Sequence, residues 1–260
     1  MPVKTLLLAF TLSCCCPVFA DLVEKEVDYQ DGKVTLRGFL VYDDAIKKKR
    51  PGVLVVHEWW GHNDYARERA RKLARLGYTA LALDMYGKGV LAKHPKEAGK
   101  FSGAFSSNRK LMVSRFNAAY RLLTSQPSVD TARIAAIGYC FGGNVVLQMA
   151  IQNLPLAGVA SFHGSIPDPA QVKGRVKPRI AIYHGADDPF VDTAKVKAFE
   201  KALNTAGAKV RVRIYKGAKH SFTNPGADKL GKQFKLPLVY NRAADQSSWK
   251  DLTEFLKQVF

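Results

Sequence analysis

The chain has 260 residues, of which 47% are hydrophobic and 24% are charged. This composition excludes intrinsic disorder and supplies enough apolar side chains for a sizeable core. The formal net charge is +18 at pH 7, but the basic residues are scattered and no nucleic-acid-binding module accompanies them. We therefore predict no nucleic-acid partner and a solvated cationic surface that attracts anions in general.

The first 20 residues have the pattern of a signal peptide. Lys4 precedes an apolar run, and small residues end at Ala20, directly before Asp21. The run is too short to cross a membrane, and no later stretch reaches about 18 apolar residues. We predict a signal peptide at 1–20 and an exported mature chain, periplasmic or secreted, without membrane insertion. A lipid-modified cysteine within 14–16 is the alternative.

The predicted elements begin with a hairpin and continue as alternating strands and helices. Alternating polar and apolar residues at about 23–29 and 33–42 flank Asp31-Gly32 and predict an antiparallel hairpin. Continuous apolar runs follow and predict buried strands in "PGVLVVHEWWG", "YTALALDMYG", "RIAAIGYC", "LAGVASFHG", "RIAIYHGADD" and "VRVRIYKGAKH". Helical spacing predicts helices at 65–76, near 107–125, from 141, at about 193–206 and from about 246.

This alternation defines the expected fold class and domain organisation. Buried strands separated by helices predict a mostly parallel sheet with helices on both faces. Since we find no linker and no internal repeat, we expect residues 21–260 to form one α/β domain. The segments 87–106 and 222–245 are rich in Gly, Pro and Lys. We expect both segments to be surface excursions near the functional site.

A cysteine lies at the turn between the third apolar run, "RIAAIGYC", and the helix that follows it. Gly138 and Gly142 flank Cys140 in the pattern G-x-C-x-G. Once the signal peptide is removed, Cys140 is the only thiol. The simplest interpretation is a buried and unreactive cysteine of the core, because free cysteine is among the most buried residue types. However, the pattern has the form of a nucleophile elbow with cysteine in place of serine. A helix N-terminus also favours a thiolate and an oxyanion.

The partners of such a nucleophile follow it in the order acid, then base. Asp188 follows the predicted strand "RIAIYHG", and His220 follows "VRVRIYKGAK". Asp187 is the rival acid, but the spacing Gly185-x-x-Asp188-x-x-Val191 favours Asp188. We predict that His220 acts as the general base and that Asp188 orients its imidazole.

Other polar residues at strand ends raise an alternative. His57, His163 and His184 lie near predicted strand ends, where a metal site is conceivable. No tight ligand spacing joins them, so we predict structural histidines and no metal. Glu58 follows a buried strand and precedes two tryptophans. It should have a partner, because burying an unpaired carboxylate is costly.

The sequence resembles the dienelactone hydrolase family over nearly all of the mature chain. The shared motifs are "HEWWG", "GYCFGG", "HGADDPFV", "HSF" and "YNRAADQSSW". The resemblance implies an α/β-hydrolase fold and a triad of Cys140, Asp188 and His220. It also implies an oxyanion hole made by the backbone N–H groups of Trp59 and Phe141.

The resemblance assigns further residues and leaves others unmatched. Glu58 corresponds to a family glutamate that contacts the resting thiol and moves aside when substrate arrives. Well-known members bind a substrate carboxylate with two arginines, and here those places read Gly87-Lys88 and Thr223-Asn224. Lys88 could supply one of the two charges. Lys88 and Tyr139 are the candidate substrate contacts.

Two functions follow from the sequence. The leading hypothesis is a monomeric cysteine hydrolase of small carboxylic esters or lactones, anionic ones included, that needs neither cofactor nor metal. The rival is a non-catalytic periplasmic ligand-binding protein in which Cys140 is a redox-responsive thiol. A covalent acyl adduct on Cys140 would separate the two.

Overall fold

The computed structural model describes residues 22–260, so the predicted signal peptide and the cysteines at 14–16 lie outside the described residues. The strands are β1 (Leu22–Asp31), β2 (Val34–Asp43), β3 (Arg50–Val56), β4 (Thr79–Leu83), β5 (Val129–Tyr139), β6 (Gly158–Phe162), β7 (Arg179–Gly185) and β8 (Val210–Tyr215). The helices are α1 (Asp64–Ala74), α2 (Pro95–Ser107), α3 (Arg109–Thr124), α4 (Phe141–Ile151), α5 (Thr193–Thr205), α6 (Ala227–Phe234) and α7 (Arg242–Val259).

The eight strands form one sheet in the order β1-β2-β4-β3-β5-β6-β7-β8. β1 pairs with β2 as the predicted antiparallel hairpin, and β2 pairs antiparallel with β4. All the remaining pairs, from β4 to β8, are parallel. The chain therefore brings the carboxyl ends of β3, β5, β7 and β8 to the same edge of the sheet, where ligand sites of such sheets lie.

Alternate residues of the central strands belong to two separate cores. Leu54 and Val56 of β3 pack in a cluster that contains the buried faces of α3, α4 and α5. Val53 and Val55 pack in a second cluster with α1 and α7. Because successive side chains of a strand point to opposite faces, both faces of the sheet are covered by helices. The predicted α/β-hydrolase architecture is confirmed.

Two helices were absent from the expectation based on sequence. α2 begins within the segment 87–106, which we expected to be a surface excursion, and α6 lies in the segment 222–245. The two glycines of α2 lower its intrinsic helix propensity, and the sequence pattern therefore does not predict this helix. The helix is instead secured by Pro95 in its first turn, by the His94 side chain that caps it, and by the buried Phe105.

Within residues 22–260, no helix combines the length and the apolar character that crossing a membrane requires.

Candidate active site

Cys140 stands at the sharp turn between β5 and α4. Its backbone is in a left-handed conformation, with φ 53° and ψ −114°, which is rare for a residue with a side chain. The turn leaves no room on either side: a Cβ on Gly138 would lie 2.0 Å from the Gly142 carbonyl oxygen, and one on Gly142 would lie 2.4 Å from the Val56 oxygen. The predicted elbow and the need for its glycines therefore have a direct steric cause.

Three side chains from three strand ends meet at this turn. His220 Nε2 lies 3.1 Å from Cys140 Sγ, and His220 Nδ1 lies 2.8 Å from Asp188 Oδ2. Asp188 and His220 are both buried. The other oxygen of Asp188 accepts the Phe190 backbone N–H at 2.9 Å, which fixes the orientation of the carboxylate. The structure therefore brings together the three residues that the sequence singled out.

The charge state of His220 follows from these contacts. Burial alone would lower its pKa, but the neighbouring Cys140 thiolate and the Asp188 carboxylate raise the pKa of His220 to about 10. A histidine that lies between a thiol and a carboxylate, and whose protonated form is favoured, can take the proton of that thiol. Asp187 takes no part in this arrangement, since its side chain is exposed.

Two backbone N–H groups beside the thiol lack acceptors. Trp59, Cys140 and Phe141 line the same cavity. Among the hydrogen bonds of the described residues, neither the Trp59 nor the Phe141 N–H has a partner. Phe141 is the first residue of α4, where an N–H has no acceptor within the helix. Tyr86 holds the Trp59 loop by donating its hydroxyl to the Trp59 carbonyl at 3.0 Å. The pair can therefore serve as oxyanion donors.

Glu58 is fully buried, but its contacts differ from those that the resemblance implies. Its carboxylate accepts hydrogen bonds from Ser221 Oγ at 2.9 Å and from Asn224 Nδ2 at 2.6 Å. The hydrogen-bond partner of the thiol is His220. Burial raises the pKa of Glu58, and the two donors oppose this shift. Glu58 thus connects the loop that contains Trp59 to the turn that follows His220 through hydrogen bonds. A hydrogen bond between Glu58 and the thiol is absent from those of the described residues.

A buried arginine holds the same turn from the other side. Arg69 of α1 donates to Asp245 Oδ1 at 2.7 Å and to the Thr223 carbonyl. The Thr223 hydroxyl in turn pairs with His163 Nε2 at 2.7 Å and with the Tyr65 hydroxyl at 2.6 Å. Sequence reasoning missed this network, and its only signal was the polar run "HSFTN" directly after the last strand.

The two candidate substrate contacts are placed elsewhere. Lys88 Nζ pairs with Asp28 Oδ2 at 2.7 Å and lines a different cavity from that of Cys140. The Tyr139 side chain is fully buried and stacks on Phe162, with ring centroids 4.7 Å apart. β5 directs Tyr139 into the core, and Lys88 pairs with a carboxylate beside a different cavity, so neither of the two predicted substrate contacts lines the cavity that contains Cys140.

The cavity in front of the thiol has a volume of about 330 Å³. Apolar and polar side chains from α2, α3, α4 and the loop after β6 share its lining. Its members are Trp59, Ser102, Phe105, Ser106, Arg109, Met112, Cys140, Phe141, Asn144, Gln148, Ser165, Ile166, Pro167, Asp168 and Gln171. The segment 87–106 therefore contributes to the cavity through α2, as predicted, while the segment 222–245 contributes Asn224, one of the two partners of Glu58.

The other strand-end histidines have structural contacts. His57 Nδ1 donates to the Glu58 carbonyl at 2.5 Å, and its Nε2 accepts the Met85 N–H at 3.2 Å. His184 Nε2 donates to the Val191 carbonyl at 2.9 Å. In the part of the chain that the structure describes, no three His, Cys, Asp or Glu side chains form a group that could hold a metal ion.

We expect His62 to make the protein sensitive to acid. Burial lowers the pKa of His62 to about 3 from an unfolded value of 6.5. The unfolded chain binds the proton first, so this contribution to stability is present above pH 6.5 and is lost as the pH falls towards 3. The unfolding temperature of His62→Gln should fall less than that of the natural chain between pH 7 and pH 4 in scanning calorimetry. Parallel curves would contradict this assignment.

The sheet order, the strained elbow and the acid and base at the ends of β7 and β8 define an α/β hydrolase. A family model described as the dienelactone hydrolase family matches residues 36–260. The chain therefore belongs to the dienelactone hydrolase family.

Individual relatives agree with this assignment. The chain is 35% identical to a dienelactone hydrolase-like promiscuous phosphotriesterase from metagenomic libraries, with a TM-score of 0.86 over 92% of this chain and 99% of that one. It is 25% identical to a Saccharolobus solfataricus protein provisionally named a carboxymethylenebutenolidase, over 91% of this chain and 99% of that protein. The crystal structure of an Anabaena variabilis dienelactone hydrolase shares the fold at 23% identity, with a TM-score of 0.59 over 84% of this chain and 99% of that one.

Proposed function

We propose that this protein hydrolyses small carboxylic esters or lactones through a covalent thioester on Cys140. The observation that carries the proposal is the Cys140–His220–Asp188 chain of contacts at 3.1 and 2.8 Å. Trp59 and Phe141 line the same cavity as the thiol, and their backbone N–H groups have no acceptor among the described residues. Membership of the dienelactone hydrolase family supports the same reaction class. The Saccharolobus solfataricus relative provisionally named a carboxymethylenebutenolidase points to the same reaction class.

The reaction divides into two steps. In the first, Cys140 Sγ attacks the substrate carbonyl, and the backbone N–H groups of Trp59 and Phe141 stabilise the oxyanion. His220 then gives its proton to the leaving alkoxide, and the acyl group remains on sulfur. In the second step, neutral His220 takes a proton from water, which attacks the thioester and releases the acid. Asp188 keeps Nδ1 of His220 protonated throughout, so that Nε2 faces the reaction.

The proposal is tested by turnover combined with thiol modification. The purified full chain should hydrolyse p-nitrophenyl acetate and a simple lactone, and iodoacetamide should abolish both activities in step with alkylation of Cys140, located by peptide mapping. The rival binding protein would react with peroxide at Cys140 yet release no product. Turnover that survives complete alkylation of Cys140 would contradict the covalent mechanism.

A phosphate triester is a second candidate substrate. The observation that favours it is the 35% identity to the promiscuous phosphotriesterase across 92% of this chain. The same thiolate and N–H donors could act at phosphorus, where charge also develops on a non-bridging oxygen. Diethyl p-nitrophenyl phosphate should therefore release p-nitrophenol faster with the natural chain than with Cys140→Ala. Equal rates would contradict this candidate.

Export is part of the proposal. Two features of the sequence support a mature chain with a single thiol. The first 20 residues have a signal-peptide pattern, and Cys140 is the one cysteine after residue 16. N-terminal sequencing of the protein from a bacterial periplasmic fraction should begin at Asp21. Recovery of Met1, or of a lipid-modified cysteine from 14–16, would contradict this part of the proposal.

We expect Glu58 to act as a positioning residue. Asn224 Oδ1 accepts the Gly226 N–H at 2.8 Å, which fixes the Asn224 amide so that its Nδ2 donates to Glu58. In Asn224→Asp, the carboxylate of Glu58 would lose this donor and face a second buried carboxylate. Turnover should fall by about tenfold, and the unfolding temperature should fall as well.

The pairing of donor and acceptor provides the control for this prediction. The double variant Glu58→Gln/Asn224→Asp restores one donor opposite one acceptor, so it should recover much of the turnover that the single variant loses. Full activity of Asn224→Asp alone would show that the link between the Trp59 loop and the His220 turn does not matter for catalysis.

A further inference from the structure

The wall of the active-site cavity formed by α4 contains a buried polar atom with no partner. Gln148 is only 6% exposed and lines the cavity that contains Cys140. Its side-chain oxygen, Oε1, is buried and has no hydrogen-bond partner among the described residues. Because an unpaired buried acceptor is destabilising, such an atom calls for a donor from outside the chain.

Neighbouring residues fix which end of the Gln148 amide is unpaired. Arg109 Nη2 donates to Gln171 Oε1 at 2.7 Å, and a guanidinium can only donate. Gln171 must therefore present its oxygen at this point. Gln148 Nε2 donates to that same oxygen at 2.8 Å, which leaves Gln148 Oε1 as the free atom. Rotating the Gln148 amide would place two oxygens against each other, so its orientation is determined.

The position of Gln148 relative to the thiol follows from the helix. Cys140, Asn144 and Gln148 succeed one another at intervals of four residues, lie along one face of α4 and line the same cavity. At about 1.5 Å per residue, the Cα atoms of Cys140 and Gln148 are about 12 Å apart along the helix axis. A substrate whose carbonyl lies at Sγ would therefore reach Gln148 with its far end.

Charges at this end of the cavity do not favour one sign of ligand. Arg109 and the carboxylate of Asp168 both line it. The Arg109 side chain already donates to Gln171, and an anion placed against Gln148 Oε1 would bring two acceptors together. A neutral group that carries an O–H satisfies the free oxygen without this repulsion.

We propose that Gln148 Oε1 accepts a hydrogen bond from a hydroxyl group at the end of the substrate remote from the scissile ester. The substrate class is thus a hydroxylated ester or lactone, rather than one with a terminal methyl group or carboxylate. This inference rests on the proposed function, because it assumes that the carbonyl binds at Cys140. Binding can still be measured without turnover.

The experiment compares probes that differ only at the far end. Non-hydrolysable amides, 6-hydroxyhexanamide and heptanamide, are tested for protection of Cys140 from iodoacetamide, and p-nitrophenyl 6-hydroxyhexanoate, heptanoate and adipate are compared in kcat/KM. We expect the hydroxyl probes to be favoured by about tenfold over the methyl probes in the natural chain. Gln148→Leu should lose this preference while it still hydrolyses the heptanoate.

Gln152→Leu is the matched control. Gln152 lies one helical turn beyond Gln148, directly after the last residue of α4, is exposed, and does not line the active-site cavity. This variant should keep the preference for the hydroxyl probes. Equal protection by the two amides would overturn the inference whether or not any ester is hydrolysed, whereas failure to hydrolyse every ester would overturn the proposed function separately. A preference for the adipate ester would also overturn the inference, because it would show that Arg109 selects an anion.

Discussion

Cys140→Ala should reduce ester turnover by at least about 1,000-fold and leave the fold unchanged. The substitution removes the nucleophile, and in hydrolases with a triad such a loss costs several orders of magnitude in kcat. Alanine fits where cysteine stood, because the elbow is constrained by Gly138 and Gly142 rather than by the sulfur. Steady-state rates with p-nitrophenyl acetate measure the first effect, and thermal unfolding followed by circular dichroism measures the second.

Cys140→Ser is the informative companion of this variant. A hydroxyl is far harder to ionise than a thiol, and the pair of Cys140 and His220 is arranged for a thiolate. We expect Cys140→Ser to retain less than about one hundredth of the natural activity. An alanine variant with unchanged unfolding and more than a tenth of the natural rate would rule out Cys140 as the nucleophile.

Loss of Asp188 should be nearly as damaging as loss of His220, while loss of Asp187 should have little effect. In Asp188→Asn, the amide oxygen would keep the Phe190 N–H, and the amide nitrogen would face His220 Nδ1. That contact favours the other tautomer of His220, which places a proton on Nε2 and prevents it from acting as the base. Turnover of Asp188→Asn and of His220→Ala should each fall by at least about 100-fold.

Asp187→Asn is the matched control, because it makes the same chemical change at the adjacent position. Its side chain is exposed, so we expect the rate to change by less than about twofold. Rates at pH 7 for the two asparagine variants decide the assignment. If Asp187→Asn were the more damaging change, Asp187 would be the acid of the triad.

The sequence was sufficient to predict the parallel sheet, because its central strands are fully buried and therefore consist of continuous apolar runs. It was also sufficient for the elbow, since Gly138 and Gly142 are required by the close approach of backbone atoms. It was insufficient for α2, whose helix rests on local capping and on burial of Phe105 against distant residues. Helices of weak propensity depend on tertiary packing that one sequence does not reveal.

The same distinction holds within the site. The order of Cys140, Asp188 and His220 along the chain was visible, because each residue follows an apolar strand. The partners of Glu58 were not visible, since Ser221 and Asn224 lie more than 160 residues away and only the folded chain brings them to its carboxylate. Tyr139 failed as a substrate contact because position in a motif does not show which face of β5 a side chain occupies.

The central claim is that Cys140 carries the acyl group during turnover, and intact-mass spectrometry tests it most directly. The full chain is mixed with excess p-nitrophenyl acetate and quenched in acid within milliseconds to seconds. We expect a mass increase of one acetyl group, located at Cys140 by peptide mapping and removed by neutral hydroxylamine, as a thioester requires. The adduct should be absent in Cys140→Ala and should persist longer in His220→Ala if any forms there, because deacylation needs the base. Turnover with no acyl adduct on Cys140, or with the adduct on another residue, would contradict the account.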